Sequence, residues 1–461
     1  MLTQTALEVP VTPQEGPAVS IDLGIQPRLS DLACAFQDMP GLVVLEGGGP
    51  FGIEGRWSYV AADPVQTISA APQTTAPDGG FLHQLRDALQ ATRSNSVADV
   101  PFQGGAIGYI SYEGGDSLHR PVDHDSQSAP AGYLWAGLYG WVIARNALTG
   151  LTMLIVNKSV LPNSGSVIET LINRVRSGIR EAGQARLDTL ASNASRARYV
   201  QWVREVKEYI SAGDCYQVNL ARRISARLQG NALDLFRRLT HLHPEPFSAY
   251  LRGGAVEVVS VSPELFLRKT GRLVRSRPIK GTRPRLRRPE DDAATAEALR
   301  RSAKDRAENV MIVDVVRNDL GRVCAPGTIE VPSLWSVEAH PSVWQLVSEI
   351  RGRLDSDRDS VDLLAACLPP ASVTGAPKIR ATEIIQEIEP HPRGVYCGTV
   401  FAAGFDGSLV SNVAIRTLQV LDREVHLHVG GGIVAGSEPD AEFDETVHKA
   451  RGILGAFGLR E

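Results

Sequence analysis

Cysteine is scarce in this sequence, with five residues in 461, and each of the five stands alone. No two have the C-x-x-C spacing of a zinc site or a redox motif, and their number is odd. Such usage is typical of reduced thiols in the cytoplasm and argues against a disulfide framework. The sequence therefore predicts a cytoplasmic protein with neither disulfides nor a zinc site.

Long apolar runs and an excess of positive charge are also missing. No stretch approaches the ~20 apolar residues that span a membrane. Residues 1–16 lack the basic start and the apolar core of a secretory signal. The formal net charge is −4, so the chain as a whole is not built to bind nucleic acid or an anionic membrane. We expect no membrane and no nucleic-acid partner.

Several common catalytic signatures are absent as well. There is no G-x-S-x-G elbow of a serine hydrolase, no G-x-x-x-x-G-K-[ST] phosphate loop, and no cysteine in an amidotransferase-type elbow. Three glycines at 430–432 follow a strand pattern, and their backbone N–H groups could face an anion closely. A plain bend is the alternative interpretation of this triplet.

Strand and helix patterns come in blocks rather than in strict alternation. Apolar runs and turn residues predict strands at 42–45, 56–60, 105–109, 215–224, 255–261, 264–269, 272–277, 398–405, 410–421 and 424–429. Helical spacing predicts helices at 167–182, 199–212, 290–301 and 304–317, and one from about residue 440. This order favours an α+β protein with mostly antiparallel sheets.

A polar segment at 188–196 is the best candidate for a domain boundary. It separates an N-terminal region, residues 20–187, from a C-terminal region, residues 197–461, and a loose arm is expected at 1–19. The C-terminal region holds most of the candidate functional residues.

Two pairs of acids have helical spacing. Asp305 and Glu308 share one helix face, and Glu442 and Glu445 repeat the spacing on the last helix. Carboxylates that converge from two helices would suit Mg²⁺, which prefers oxygen ligands. The alternatives are ordinary: Asp305 fits a capping box that begins at Ser302, Glu442 suits a helix N-terminus, and acid pairs often lie on solvated faces.

A basic stretch at 272–288 contains eight cationic residues and no acid. It could bind nucleic acid, although no aromatic residues interleave. It could also clamp a small polyanion, or form the solvated edge of a hairpin. Within it, the sequence PIKGT at 278–282 predicts a stiff turn that presents Lys280 as an anion anchor or, with a lowered pKa, as a nucleophile. Glu264, in Ser-Pro-Glu between two strands, is a candidate general acid or a simple turn residue.

Taken in order, these segments resemble the chorismate-utilising enzymes, the family of component I of anthranilate and aminodeoxychorismate synthases. The resemblance covers about the last 260 residues well and the N-terminal part more weakly. It implies two largely antiparallel sheets packed as a sandwich, with helices outside. The matching motifs lie at 213–220, 262–264, 278–282, 305–319, 374–378, 414–417, 430–432 and 442–445.

The resemblance also implies roles for individual residues. Glu308 and Glu445 match Mg²⁺ ligands, with Asp305 and Glu442 as nearby acids, and the metal would hold the ring carboxylate of chorismate. Glu264 matches the general acid, and Gln217 stands where isochorismate synthases carry a lysine base. The positions that hold the rest of chorismate correspond to Gly281, Thr282, Tyr396, Arg416, Gly431, Gly432 and Lys449.

Lys280 discriminates between activities within this family. Anthranilate synthases usually carry alanine in this turn, whereas the lysine version resembles aminodeoxychorismate synthase component I, in which it is thought to be a nucleophile. The expected activity is therefore conversion of chorismate and ammonia to 4-amino-4-deoxychorismate for 4-aminobenzoate and folate synthesis. A separate glutamine amidotransferase subunit would supply the ammonia. Anthranilate synthase component I, a nucleic-acid-binding protein and a silent scaffold remain alternatives.

Two positions depart from the family pattern. Gln345 stands where many members have a histidine, and an amide cannot carry a proton. Residues 44–47 read VLEG where a tryptophan pocket is usually marked by a Leu-Leu-Glu-Ser type segment. No feedback by tryptophan is inferred from this segment.

Overall fold

The helices and strands follow from a computed structural model that describes residues 18–47, 54–71, 80–93, 100–119, 131–178 and 183–461. The helices are Leu29–Leu32 (α1), Gly80–Ala91 (α2), Tyr112–Asp116 (α3), Ser164–Arg176 (α4), Arg196–Ala212 (α5), Ala232–Leu242 (α6), Pro289–Arg301 (α7), Ala303–Gly321 (α8), Ser360–Cys367 (α9), Lys378–Ile388 (α10) and Pro439–Gly455 (α11), with 3₁₀ turns at Ala33–Phe36 and Ala371–Val373. None of these helices is long and apolar enough to cross a membrane.

Two sheets contain the strands. The larger sheet has the order β1-β8-β7-β3-β2-β11-β12-β21-β22-β10-β18, with β9 also on β10, and the smaller has β15-β17-β14-β13-β20-β19-β5-β6-β4, with β16 also on β17. The strands are Ala18–Asp22 (β1), Val43–Glu46 (β2), Trp57–Ala61 (β3), Gln66–Ala70 (β4), Gly105–Ile110 (β5), Leu134–Tyr139 (β6), Trp141–Asn146 (β7), Thr152–Asn157 (β8), Arg186–Ser192 (β9), Gln217–Gln229 (β10), Phe247–Gly253 (β11), Val256–Ser262 (β12), Leu265–Thr270 (β13), Leu273–Arg277 (β14), Ile279–Pro284 (β15), Glu330–Ala339 (β16), Val343–Arg353 (β17), Gly375–Ala376 (β18), Thr399–Gly404 (β19), Leu409–Asn412 (β20), Thr417–Leu421 (β21) and Glu424–Val434 (β22).

The two sheets pack face to face over a shared apolar layer. Ile107 and Tyr109 of β5 point into this layer together with Val43 of β2 and Val258 of β12. Ile110, on the opposite face of β5, joins a second cluster beneath the helices. This alternation follows from the period of two along a strand. All paired strands are antiparallel, so the prediction of an antiparallel sandwich with outer helices is confirmed.

Local sequence signals set the helix ends that matter for function. Helix α5 begins after Ser195, whose hydroxyl accepts a hydrogen bond from the Arg198 N–H, and it stops at Gly213, which has φ 87°. Ser302 caps α8 in the same way by accepting from the Asp305 N–H at 3.3 Å. The predicted helices at 199–212 and 304–317 are therefore confirmed, each with its cap.

The structure differs from the sequence interpretation of local structure at three segments. Residues 279–284, which include most of the predicted turn, form an edge strand, β15. The glycine triplet lies inside β22 and not at the bend that was its alternative interpretation. The polar segment at 188–196 is largely strand β9, paired with β10. Polarity does not exclude these strands, because backbone hydrogen bonds to a neighbouring strand form them regardless of side chain.

The predicted N-terminal and C-terminal regions both contribute to each sheet. Strand β2 pairs with β11, and β5 pairs with β19. Part of the predicted arm, Ala18 and Val19, lies in β1, whereas residues 1–17 are outside the described part of the chain, as are residues 179–182 of the predicted helix at 167–182. All five cysteines are buried and none of them forms a disulfide.

Candidate active site

Lys280 lies on a distorted part of strand β15. The pairing of β15 with β17 shifts register between Ile279 and Thr282, so Lys280 and Gly281 form a bulge. Gly281 has φ 86°, a conformation that side chains with a Cβ rarely adopt. The bulge turns the Lys280 side chain inward, where its ammonium donates a hydrogen bond to the Ser372 carbonyl at 2.8 Å.

Ser372 also contacts the predicted general acid. Glu264 follows β12, is only 3% exposed, and forms a hydrogen bond with the Ser372 side chain. The backbone N–H of Ile279 donates to Glu264 Oε1 at 3.5 Å. One residue thus bridges the two groups: its carbonyl accepts from Lys280 and its hydroxyl bonds to Glu264. The structure brings the predicted nucleophile and the predicted acid into one site.

Burial moves both groups toward their neutral forms. Loss of water raises the pKa of Glu264 to about 7, although the Ser372 hydroxyl and the charge of Lys280 oppose this rise. Burial also lowers the pKa of Lys280, with a smaller contribution from the Lys449 cation, against the opposing charges of Glu308 and Glu264. A neutral carboxyl and a neutral amine are the forms that donate a proton and attack an electrophile.

We expect Gly281→Ala to distort this bulge and to lower stability. A Cβ at this position would lie 2.9 Å from Asp305 Cγ, and Asp305 is held in place by Arg283 at 2.7 Å. The positive φ adds about 1–2 kcal/mol. Gly271→Ala is the matched control, because Gly271 also has a positive φ, 57°, but nothing lies within 4 Å of its Cβ position. Urea unfolding should show that Gly281→Ala costs at least about 1 kcal/mol more than Gly271→Ala; equal costs would contradict the close contact.

The two acid pairs lie on neighbouring helices, as predicted. Asp305 and Glu308 are in the first turns of α8, and Glu442 and Glu445 are in the first turns of α11. Lys304 connects the two helices, because its ammonium lies 3.9 Å from Glu308 and 3.7 Å from Glu442. The acids therefore face a common region, although within the described residues no three acid, histidine or cysteine side chains are close enough to hold a metal ion.

The glycine triplet passes directly over these acids. A Cβ on Gly431 would lie 3.3 Å from Glu442 Oε2 and 3.5 Å from Glu445 Oε1, and a Cβ on Gly432 would lie 3.0 Å from Gln217 Nε2. Gln217 is fully buried, and neither end of its amide has a hydrogen-bond partner among the described residues. Unpaired buried amides are costly, so the amide of Gln217 is a strong candidate to contact a ligand.

Three predicted ligand-binding side chains occupy defined contacts. Arg416 pairs with the buried Glu245 at 2.5 Å, and Lys449 pairs with Glu445 at 2.7 Å while donating to the Gly430 carbonyl at 2.7 Å. Tyr396 is buried and stacks on His428, with ring centroids 5.3 Å apart. The structure thus brings Lys449 to the acids and glycines, but it shows no contact that joins Arg416 or Tyr396 to them.

Gln345 lies close to the predicted ring-site residues. It is opposite Thr282 in the pairing of β15 with β17 and is 1% exposed. Its Oε1 has no hydrogen-bond partner among the described residues, whereas Thr282 is exposed. An unpaired buried amide oxygen can accept a hydrogen bond from a ligand, but it cannot donate a proton to one.

The basic stretch is not one free cationic patch, and its strand β14 is not a solvated hairpin edge. Strand β14 is inside the sheet between β13 and β17. Its arginines pair with acids that are distant in sequence: Arg275 contacts Glu54 and Glu349, and Arg277 contacts Glu338. These ion pairs disfavour the nucleic-acid interpretation. Burial, and not these arginines, is the leading cause of the lowered pKa of Lys280.

Sequence reasoning missed two residues of this site. Ser372 carries no recognisable signal of its own, although it lies two residues before the matched motif at 374–378. Lys304 precedes the matched acid motif by one residue, and its link to Glu442 crosses from one helix to another. Only the i,i+4 spacing of Lys304 and Glu308 could have been read from the sequence.

Comparison with known proteins identifies the family. Residues 50–455 match the model of a family described as chorismate binding enzyme. Aminodeoxychorismate synthase component 1 of Salmonella typhimurium is 36% identical over 428 residues, 90% of this chain and 93% of that protein. Anthranilate synthase component 1 of Geobacillus stearothermophilus is 41% identical over 447 residues, covering 88% and 87% of the two chains.

A solved structure agrees with these sequence relatives. The crystal structure of anthranilate synthase component I from Streptococcus pneumoniae superposes with a TM-score of 0.76 at 26% identity, covering 86% of this chain and 92% of that one. The match to the family model includes strands of both sheets and every candidate site residue. The chain therefore belongs to the chorismate binding enzyme family.

Proposed function

We propose that this chain is component I of an aminodeoxychorismate synthase, which converts chorismate and ammonia to 4-amino-4-deoxychorismate and water. The observation that carries the proposal is the joint placement of Lys280 and Glu264 on Ser372. Burial shifts the pKa values of the Lys280 amine and the Glu264 carboxyl so that both groups favour their neutral forms. A neutral amine can act as a nucleophile and a neutral carboxyl can protonate a departing hydroxyl, and the proposed reaction needs both. Relatives at 36% identity that carry this function support it.

The proposed reaction begins with attack by the neutral Lys280 amine on C2 of chorismate. As the C2–N bond forms, the ring double bonds shift and the C4–O bond breaks. Glu264 donates its proton to the departing hydroxyl, which leaves as water. The hydrogen bond from Lys280 to the Ser372 carbonyl uses one N–H of the amine and thereby orients its lone pair.

Ammonia completes the proposed reaction. It attacks C4 while the double bonds shift back, and the C2–N bond to Lys280 breaks with its electron pair returning to the amine. The new ammonium group at C4 then gives one proton to the Glu264 carboxylate, which restores the acid. The product keeps the enolpyruvyl group, so this chain would stop before an aromatic ring forms. The sum is chorismate plus ammonia giving 4-amino-4-deoxychorismate plus water.

We infer that the region around the two acid pairs would hold Mg²⁺, whose charge would bind and neutralise the ring carboxylate of the substrate when the metal is present. Glu308 and Glu445 would bind it, with Asp305 and Glu442 nearby. Carboxylate oxygens are the donors that Mg²⁺ prefers. The contact of two of these acids with the Lys304 ammonium supports a region that attracts a cation.

The rest of the substrate would contact polar groups around the acids. Lys449, Arg416, Tyr396 and the amides of the glycine triplet would take the enolpyruvyl carboxylate, and Gly281 and Thr282 would line the ring. Ammonia would come from a separate glutamine amidotransferase subunit, which the name component 1 of the relatives supports. Delivery of 4-aminobenzoate to folate synthesis follows from the same proposal, as does a cytoplasmic location.

A second candidate is anthranilate synthase component I. It is favoured by the 41% identity to the Geobacillus stearothermophilus protein. In that reaction ammonia itself would attack C2, and elimination of pyruvate would give an aromatic product. Identity over the whole chain reports mostly on the fold, whereas Lys280 lies at the reacting carbon in our proposal, and we therefore favour the amination at C4.

Product identification separates the two activities. We expect chorismate, ammonium and MgCl₂ to give 4-amino-4-deoxychorismate without anthranilate fluorescence, and 4-aminobenzoate to appear only when a lyase is added. The reason is that the proposed product keeps its enolpyruvyl group. Chromatography of the reaction with and without the lyase checks this result. Anthranilate at a comparable rate would overturn the proposal.

A further inference from the structure

Three cations of the described residues lie within 4 Å of the four acids of the candidate metal region, and the charge of Lys280 also acts on Glu308. Asp305 pairs with Arg283 at 2.7 Å, and Glu445 pairs with Lys449 at 2.7 Å. The remaining two acids, Glu308 and Glu442, share Lys304. The metal-free arrangement is thus partly neutralised by side chains of the protein itself.

Lys304 differs from an ordinary helix-surface lysine in its second contact. Its link to Glu308 is the i,i+4 pair common on exposed helices, and such a pair has little effect alone. Glu442, however, belongs to α11, and its side chain is only 5% exposed. Among the described residues, no other basic side chain lies within 4 Å of Glu442. Lys304 therefore provides the nearest positive charge for a buried carboxylate on another helix.

The exposed Lys304 side chain can also move away from the two acids. Its side chain is 56% exposed, whereas those of Glu308 and Glu442 are 15% and 5% exposed. Rotation about its flexible stem would place the ammonium in water without exposing the acids. A cation that binds between the helices would remove the reason for Lys304 to stay, because like charges repel.

We propose that Lys304 is a built-in counter-ion that occupies the acid region in the metal-free protein and is displaced when Mg²⁺ binds. The inference rests on the proposed metal role of Glu308 and its neighbours. Its consequence is that Lys304 weakens Mg²⁺ affinity, since binding must break two ion pairs. Lys304 also links α8 to α11 in the metal-free protein.

The test is direct metal binding without chorismate and without turnover. Calorimetric titration of the purified protein with MgCl₂ should give a Kd about tenfold lower for Lys304→Gln than for the natural protein. Lys304→Arg keeps the charge and should stay within about threefold of the natural protein. Arg301→Gln is the matched control, because Arg301 is nearby and exposed but pairs with Glu297, and its Kd should not change.

A second readout separates displacement from a general charge effect. Metal-free Lys304→Gln should melt at a lower temperature than the natural protein, and MgCl₂ should raise its melting temperature more. An unchanged or higher Kd in Lys304→Gln would overturn the inference, as would an equal gain in Arg301→Gln. If the natural protein bound no Mg²⁺ yet aminated chorismate, the counter-ion and metal roles would fall while the proposed reaction stood. If anthranilate formed but the Kd values of the variants differed as expected, the proposed reaction would be wrong while the counter-ion role of Lys304 stood.

Discussion

Replacing Lys280 by alanine or by arginine should lower kcat for amination of chorismate by about 10³-fold or more, the scale seen when a nucleophile is removed. Alanine removes the attacking nitrogen. Arginine keeps the positive charge but is not a nucleophile near neutral pH. An anion anchor would tolerate arginine, so loss of activity in both variants distinguishes attack at C2 from simple binding. Rates with saturating ammonium salt give the measurement.

Mass spectrometry provides the second arm of this experiment. With chorismate but no ammonia, the proposed adduct should add the mass of chorismate less one water to the peptide that contains Lys280. Lys269→Ala is the matched control, because Lys269 is also partly buried, has a pKa lowered by burial, and donates to a backbone carbonyl, that of Gly407, at 2.6 Å. Full activity in Lys280→Ala together with no adduct would sink the nucleophile assignment.

Glu264→Gln is expected to lower kcat by about 10²–10⁴-fold, the usual contribution of a general acid. The amide keeps the size of the side chain but cannot give a proton to the departing C4 hydroxyl. The natural enzyme should lose activity as the pH rises above about 7, because the carboxyl then ionises. The residual activity of Glu264→Gln should lack this decline. A pH profile of kcat for both proteins checks the prediction.

Glu113→Gln is the control for this profile. Burial raises the pKa of Glu113 to about 7 as well, but its carboxylate accepts from the backbone N–H groups of Arg393 and Gly394. Substitution there should leave the decline above pH 7 in place. If Glu113→Gln removed the decline and Glu264→Gln kept it, the acid would be assigned to the wrong carboxyl.

The raised pKa of Glu264 also makes the free energy of unfolding depend on pH. The pKa of Glu264 is raised from 4.5 in the unfolded chain to about 7 in the folded one, so the unfolded chain loses its proton first. The free energy of unfolding should therefore fall as the pH rises from about 4.5 to 7, by up to about 3 kcal/mol from this group. Urea unfolding at several pH values should show a smaller fall in Glu264→Gln.

Local patterns predicted the elements best where one signal dominates. The caps at Ser195 and Ser302, the glycine stop at Gly213 and the short apolar run of β5 all depend on neighbours a few residues away. The predictions failed where pairing with a distant strand decides the conformation. Residues 279–284 and 430–432 have turn-like composition, yet pairing with β17 and β10 makes them strands.

The local sequence was also a poor predictor of charge pairing, as the arginine-rich stretch at 272–288 shows. Its eight cations, with no acid among them, suggested a free patch, but four of its arginines pair with acids at residues 54, 292, 305, 338 and 349. Charge along the chain is a poor guide to charge in space, because the Coulomb interaction depends on distance between side chains and not on sequence separation.

The sequence by itself determined the family, the two acid pairs and the identity of Lys280, because motifs and helical spacing are local properties of the chain. Only the tertiary structure decided what surrounds them. It placed Ser372 between Lys280 and Glu264 and put Lys304 between two helices. Burial, which moves both pKa values toward the neutral forms, arises when strands and helices from the whole chain pack together and exclude water.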